Sequence, residues 1–144
     1  MIICADTSFL VSYYGHDTNS TAAIEAGMER ADPISLTVLN EFELENTLRC
    51  AAFTKAITHA DAHARLAAIT ADITEGNLDP VVVNLGVVLR EARRLSARYS
   101  VGGGHRGFDI LHIAAAVVLG AKEFLSFDKN QRKLAKAAGL RVGP

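Results

Sequence analysis

Short apolar runs alternate along this chain with longer segments whose apolar positions recur at helical spacing. Residues 2–5, Ile-Ile-Cys-Ala, form an apolar run that stops at Asp6, the pattern of a short buried strand. Thr7 and Ser8 suit a capped turn after it. Polar residues 17–20 open a helix over about 21–30, and Asp32-Pro33 ends it. Residues 34–38 read as a second strand. Asn40 is placed as the cap of a helix reaching about Phe53, with Glu43 three residues on as the capping-box partner. An alanine-rich helix over 61–73 follows. Asp79-Pro80 reads as a turn and the β-branched run 81–83 as a third strand. A helix begins at Gly86 or Val87, runs to Tyr99, and is broken by Gly102-Gly103-Gly104. Residues 108–119 form a strongly apolar helix with Gly120 as its C-cap. A strand over 123–127, a helix over 129–138 and a short strand over 140–142 complete the chain.

Strands alternating with helices predict an α/β fold, a mostly parallel sheet flanked by helices, with residues 1–144 as a single domain. In such sheets ligands gather beyond the carboxyl ends of the strands, where strand order reverses. Asp6 falls at the carboxyl end of one predicted strand and Asp128 at that of another.

Composition narrows the chemistry. A chain of 144 residues with 49% hydrophobic and 22% charged content can bury a core and is not a disordered polymer. No stretch reaches the roughly 20 apolar residues of a membrane span, and the N-terminus lacks the basic start of a signal peptide. Cys4 and Cys50 are expected as free thiols in a reducing cytoplasm and make no zinc motif. The net charge of −1 gives no general attraction for nucleic acid, so RNA would need a local basic patch or a bound cation. Three Tyr, six Phe and no Trp are too few for binding by base stacking alone.

Four acids then stand out: Asp6, Glu43, Asp109 and Asp128, each near a strand end or a helix start. Singly, each has an ordinary explanation as a cap or as an acid near a helix N-terminus, worth about 0.3–1 kcal/mol. Gathered on one sheet they would repel one another and favour a divalent cation held by oxygen ligands. That chemistry suits phosphodiester hydrolysis by a cation-activated water. Glu41 and Glu45, four apart on another face of the same helix, rival Glu43.

Four segments carry a resemblance. They are the start Ile-Ile-Cys-Ala-Asp6-Thr-Ser-Phe-Leu, then Glu43-Leu-Glu-Asn46-Thr-Leu, then Asp109-Ile-Leu-His112-Ile-Ala-Ala-Ala, and Phe-Leu-Ser-Phe-Asp128-Lys-Asn-Gln-Arg-Lys-Leu-Ala. Together they resemble the PIN domain, and in order, spacing and length the VapC-like toxins of toxin–antitoxin pairs. The resemblance covers nearly the whole chain. It implies a Mg²⁺- or Mn²⁺-dependent endoribonuclease whose first and fourth strands are neighbours. It implies Asp6 and Asp109 as metal ligands, Glu43 facing the metal directly or through water, and Asp128 completing the acidic pocket. Thr7 or Ser8, and Ser126, would steady carboxylates or waters, and Asn46 would hold Glu43 or touch substrate. Arg106, beside His105, has no counterpart in the motif and is a candidate for substrate contact. The partners implied are an RNA (tRNA or rRNA), a cognate antitoxin and a second copy in a homodimer, with no membrane.

Secondary features stay open. Arg90, Arg93, Arg94 and Arg98 recur at helical spacing, either as a solvated face or as a track for RNA phosphates. Lys129, Arg132, Lys133 and Lys136 allow the same two readings. His112, amid apolar neighbours, is expected as a packed histidine bonded to a strand end or carboxylate. A phospho-acceptor switch on a similar fold is disfavoured, because residues 81–83 are followed by Asn84 rather than by an acid. A non-catalytic PIN module, or a PIN nuclease of RNA processing, remains the alternative.

Overall fold

A short strand sends successive side chains to opposite faces, and β1 (Ile3–Ala5) does so. Ile3 and Ala5 enter one core, and Cys4 enters the other. The structure, a computed structural model, describes residues 1–144. After β1 come α1 (Thr7–Tyr14), α2 (Ser20–Met28), β2 (Ile34–Thr37), α3 (Val38–Phe53), α4 (His59–Glu75), β3 (Leu78–Val81) and α5 (Leu85–Gly103). Then follow α6 (Gly107–Leu119), β4 (Glu123–Leu125), α7 (Lys129–Ala137) and β5 (Arg141–Gly143). The five strands are all parallel in the order β3-β2-β1-β4-β5. Strand order therefore reverses between β1 and β4, and these two are neighbours as the resemblance implied. No helix is long and apolar enough to cross a membrane.

Two cores sandwich the sheet. Phe9, Leu10, Leu44, Leu48 and Ile69 bring α1, α3 and α4 against one face, joined by Ala23 and Ala26 of α2. Val88, Leu95, Ile113 and Leu134 bring α5, α6 and α7 against the other. Each fully buried Phe or Leu contributes about 1.5–3 kcal/mol. Ala114, Ala115 and Ala116 of α6 are wholly buried, so their small side chains let α6 pack tightly beside α5 and β1. Arg30, just past α2, forms a two-pronged ion pair with Glu123 at the start of β4, at 3.0 and 2.8 Å.

Several elements depart from the pattern-based reading. Residues 7–14 are a helix rather than a turn: Asp6 caps it, and Phe9 and Leu10 are driven into the core. Thr37, not Asn40, is the N-cap of α3, and Asn40 is the capping-box partner, which frees Glu43 from any capping role. Asp79-Pro80 is inside β3, and the strand ends at Val81 while Val82 is exposed. Proline is tolerated there because β3 is an edge strand, where one row of N–H groups needs no partner. The helix α5 runs through Gly102 and Gly103 and stops only at Gly104, whose φ of 62° is the left-handed cap that glycine takes without strain. The strand β4 ends at Leu125, so Ser126 and Phe127 belong to the loop ahead of Asp128.

Candidate active site

The turn from β1 into α1 is built around Asp6. Its carboxylate accepts the Phe9 N–H at 2.6 Å, the Ser8 hydroxyl at 2.8 Å and the Ser126 hydroxyl at 2.9 Å. Its own N–H donates to Leu125 O at 3.0 Å, which ties the end of β1 to the end of β4. Burial pushes the Asp6 carboxyl above its usual range, and the Phe9, Ser8 and Ser126 donors pull the other way.

Beyond β4, Ser126 also accepts the Asp128 N–H at 3.1 Å. Its hydroxyl has a single proton and two acceptors in reach, Asp6 at 2.9 Å and Gln131 Oε1 at 3.3 Å. The shorter bond goes to a carboxylate and wins. Asp128 caps α7 through the Gln131 N–H at 2.7 Å. Phe127 stacks on Phe9 with ring centroids 5.6 Å apart, so the β4–α7 loop is pinned over α1. Buried Gln131 donates to the Asp109 carbonyl at 3.3 Å and couples α7 to α6.

Glu43 arrives from the second turn of α3 and faces His112 of α6. Asn40 sets the state of that histidine. Its Oδ1 accepts the Thr37 hydroxyl at 2.9 Å and the Thr37 N–H at 3.4 Å, which directs its NH₂ toward Ala5 O at 3.2 Å and His112 Nδ1 at 3.4 Å. The ring nitrogen opposite a donor must accept. His112 therefore carries its proton on Nε2, which faces Thr7 Oγ1 at 3.2 Å and Glu43 Oε1 at 3.4 Å. The His112 hydrogen bond holds the Glu43 carboxyl below its usual range despite partial burial, with help from Thr7. His112 is the packed, carboxylate-bonded histidine that its apolar surroundings suggested.

Asp109 is in the first turn of α6, directly after the α5–α6 linker. Its carboxyl is pushed up by burial first and then by the charges of Asp128 and Glu43, with Arg106 opposing. All four acids line one pocket of about 490 Å³ together with Thr7, Ser8, Gly104, Arg106, His112, Asn130 and Gln131, and none of its lining side chains is hydrophobic. Arg106 is the one Lys or Arg among them. Ser126 supports the pocket from behind. Asn46 is exposed and outside the lining, and Glu41 is also outside it; Glu45 pairs with Arg49 at 3.0 Å. Sequence reading missed Asn40, Asn130 and Gln131. Gln131 sits three residues after Asp128, which was a usable capping signal; nothing local marked the other two as site residues.

The donor set suits a hard cation. It is all oxygen, lies in a polar cleft, and includes two carboxyls whose raised pKa reflects the cost of ionising them where they sit. No three Asp, Glu, His or Cys side chains converge closely enough to enclose one ion. A Mg²⁺-like ion needs only one or two direct carboxylates because it keeps several waters. A zinc site would need nitrogen or sulfur ligands, and the one histidine here is committed to Glu43 and Thr7.

A family model described as PIN domain matches residues 3–137. No curated protein sequence matches the chain significantly. Among solved structures, the chain is similar to VapBC2 from Rickettsia felis bound to a DNA fragment from its promoter, at 16% identity and a TM-score of 0.67 over 99% of this chain and 98% of that one. It is similar to the sarcin–ricin loop cleaving toxin VapC20 from Mycobacterium tuberculosis, at 18% identity and 0.69 over 96% and 95%. It is similar to FitAcB from Neisseria gonorrhoeae, at 13% identity and 0.62 over 99% and 97%.

Proposed function

The chain belongs to the PIN domain family, and on that premise we propose that it is a metal-dependent endoribonuclease, the toxin of a VapBC-type toxin–antitoxin pair. One observation carries the reading: acids from four distant points of the chain meet in a single polar pocket beside the reversal of strand order. PIN domain nucleases generally use divalent metals. Here Asp6 and Asp109 would hold Mg²⁺ or Mn²⁺, with Glu43 and Asp128 completing the acidic pocket. A cation so bound supplies an activated water and offsets charge on the leaving oxygen.

The chain's own groups do the rest. Ser8, Ser126 and the Phe9 N–H keep the Asp6 carboxylate in one orientation, so little reorganisation is needed when the cation arrives. His112 and Thr7 hold Glu43 ionised and aimed into the cleft. Arg106 is the cationic donor suited to a substrate phosphate at the cleft mouth. No side chain has to serve as a covalent nucleophile. Residues 1–144 would act as one PIN-like domain.

The similarity to VapBC2 and FitAcB supports an antitoxin partner, and the similarity to a sarcin–ricin loop cleaving toxin supports an RNA substrate; we take that RNA to be a tRNA or rRNA and the assembly to be a homodimer. The test is cleavage of a defined tRNA and rRNA pool by antitoxin-free protein with Mg²⁺, Mn²⁺ or EDTA, beside Asp6→Asn and Asp109→Asn. Discrete metal-dependent cuts absent from both variants would support the reading and begin to name the substrate. Folded protein that cuts nothing in either metal would favour a non-catalytic binding module. Cuts that survive both substitutions would place the active site elsewhere.

A further inference from the structure

The net charge of −1 conceals a strong separation. Residues from the start of α5 to the end of α7 hold ten of the fifteen Lys and Arg but four of the sixteen Asp and Glu. With histidine neutral, that part of the chain is six charges positive and the remainder seven negative. The division follows the sheet, because α5, α6 and α7 cover one face and α1 to α4 the other. The acidic pocket opens where the two halves meet, with Asp6 and Glu43 from one half and Asp109 and Asp128 from the other.

Within the positive half, α5 is the organised surface. Val88, Ala92 and Leu95 are its buried stripe. On the opposite side, Arg90, Arg93, Arg94, Ala97 and Val101 succeed one another along the helix, and the next step is Gly104 in the pocket wall. Arg98 flanks this stripe. Arg94 is taken up by Glu91 at 2.6 Å. Arg90, Arg93 and Arg98 are exposed and have no acidic partner, although Arg98 rests over the Tyr99 ring at 5.4 Å. Asn130 of α7 donates to Gly103 O at 3.0 Å and so fastens the end of α5 beside the pocket.

We infer that the α5 surface bearing Arg90, Arg93 and Arg98 binds the RNA backbone and leads it to the acidic pocket. The inference rests on the nuclease reading and adds to it the surface that makes binding possible. An acidic cleft repels phosphates, so an RNA substrate must be held by charge outside the cleft. From Arg93 to Gly104 the helix advances about 16 Å, a span of a few nucleotides. Free guanidinium groups suit phosphate oxygens, and the helix face that carries them runs on to Gly104 in the pocket wall, which an unrelated acidic peptide would not require.

The test compares the wild type with Arg90→Gln/Arg93→Gln/Arg98→Gln and with the control Lys55→Gln/Arg65→Gln from the other half. Binding of a labelled single-stranded RNA, long enough to reach Arg90, is followed by anisotropy in EDTA between about 50 and 200 mM salt. Each phosphate that the protein no longer neutralises lowers the slope of log K against log salt by about 0.7, so the triple variant should lower it by about 2. The control should leave it unchanged. With metal, the triple variant should raise KM for the long RNA and leave cleavage of a short oligonucleotide confined to the pocket unaltered, which also shows that it is folded. An unchanged salt slope overturns the inference. So does unchanged RNA binding accompanied by abolished binding of polyglutamate, which would assign the surface to an acidic protein. Wild-type protein that binds RNA through these arginines but cleaves none would overturn the nuclease reading while leaving the surface standing.

Discussion

Asn40 Nδ2 lies 3.4 Å from His112 Nδ1, and this hydrogen bond places the imidazole proton on Nε2, facing Glu43 and Thr7. The chain of cause begins at Thr37, whose backbone N–H and hydroxyl both donate to Asn40 Oδ1 and so fix which way the amide points. A capping box on α3 thus determines the tautomer of a histidine on α6.

Breaking that relay should separate catalysis from folding. Asn40→Asp replaces the NH₂ donor with an acceptor and removes the reason for the Nε2–H tautomer. Cleavage should fall about 10- to 100-fold, as for other residues that orient an active-site group. Nitrogen NMR of the His112 ring reads the tautomer directly. A spectrum unchanged by Asn40→Asp would show that Asn40 does not set it.

Ser126→Ala removes the hydroxyl from buried Asp6. With one of its three donors gone, the carboxyl should rise further above its usual range. Losing a hydrogen bond to a buried charge costs about 1.5–3 kcal/mol. Mn²⁺ titration calorimetry should show weaker binding than wild type, and the gain in Tm on adding Mn²⁺ should shrink with it. Equal Mn²⁺ affinity in the two proteins would rule out a role for Ser126 in preparing Asp6.

Glu43→Gln should abolish metal-dependent cleavage, while Glu41→Gln and Glu45→Gln stay within about twofold of wild type, as surface changes do. The reason is placement: Glu43 alone of the three lines the pocket. Side-by-side initial rates on one RNA decide among them.

The Arg30–Glu123 pair should make stability depend on acid pH. Arg30 holds the Glu123 carboxyl below its ordinary value near 4.5. For a lowered acid, the stabilisation is fully present above that ordinary value and is lost as pH falls through the depressed one. Arg30→Met should therefore be destabilised most at neutral pH, by about 3 kcal/mol at most for a largely buried pair. Its deficit should narrow below pH 4.5. Urea melts at several pH values test this, and a deficit independent of pH would mean that packing, not charge, is what Arg30 contributes.

Much of this molecule could be read from its residues. The α/β alternation, most of the helices, the Gly120 cap and all four pocket acids were legible, because each leaves a mark within a few neighbouring positions. The departures came where a distant partner decided. Residues 7–14 are too few to show a clear helical period, and burial of Phe9 and Leu10 makes the helix. Pro80 is in a strand because β3 is at the sheet edge, a fact of strand order rather than of local sequence. Asn46, one turn after Glu43, was expected near the site, yet it lies on a part of α3 that stays exposed. Asn40 and Asn130 gained their roles only when α3 met α6 and α5 met α7. Local chemistry by itself determined most of the elements and the inventory of acids, since caps and periodicity act over three or four residues. Only tertiary packing decided the meeting of Asp6 with Ser126, the tautomer of His112 and the parting of charge across the sheet. Those depend on pairings between residues 72 to 120 positions apart and on which face each helix buries.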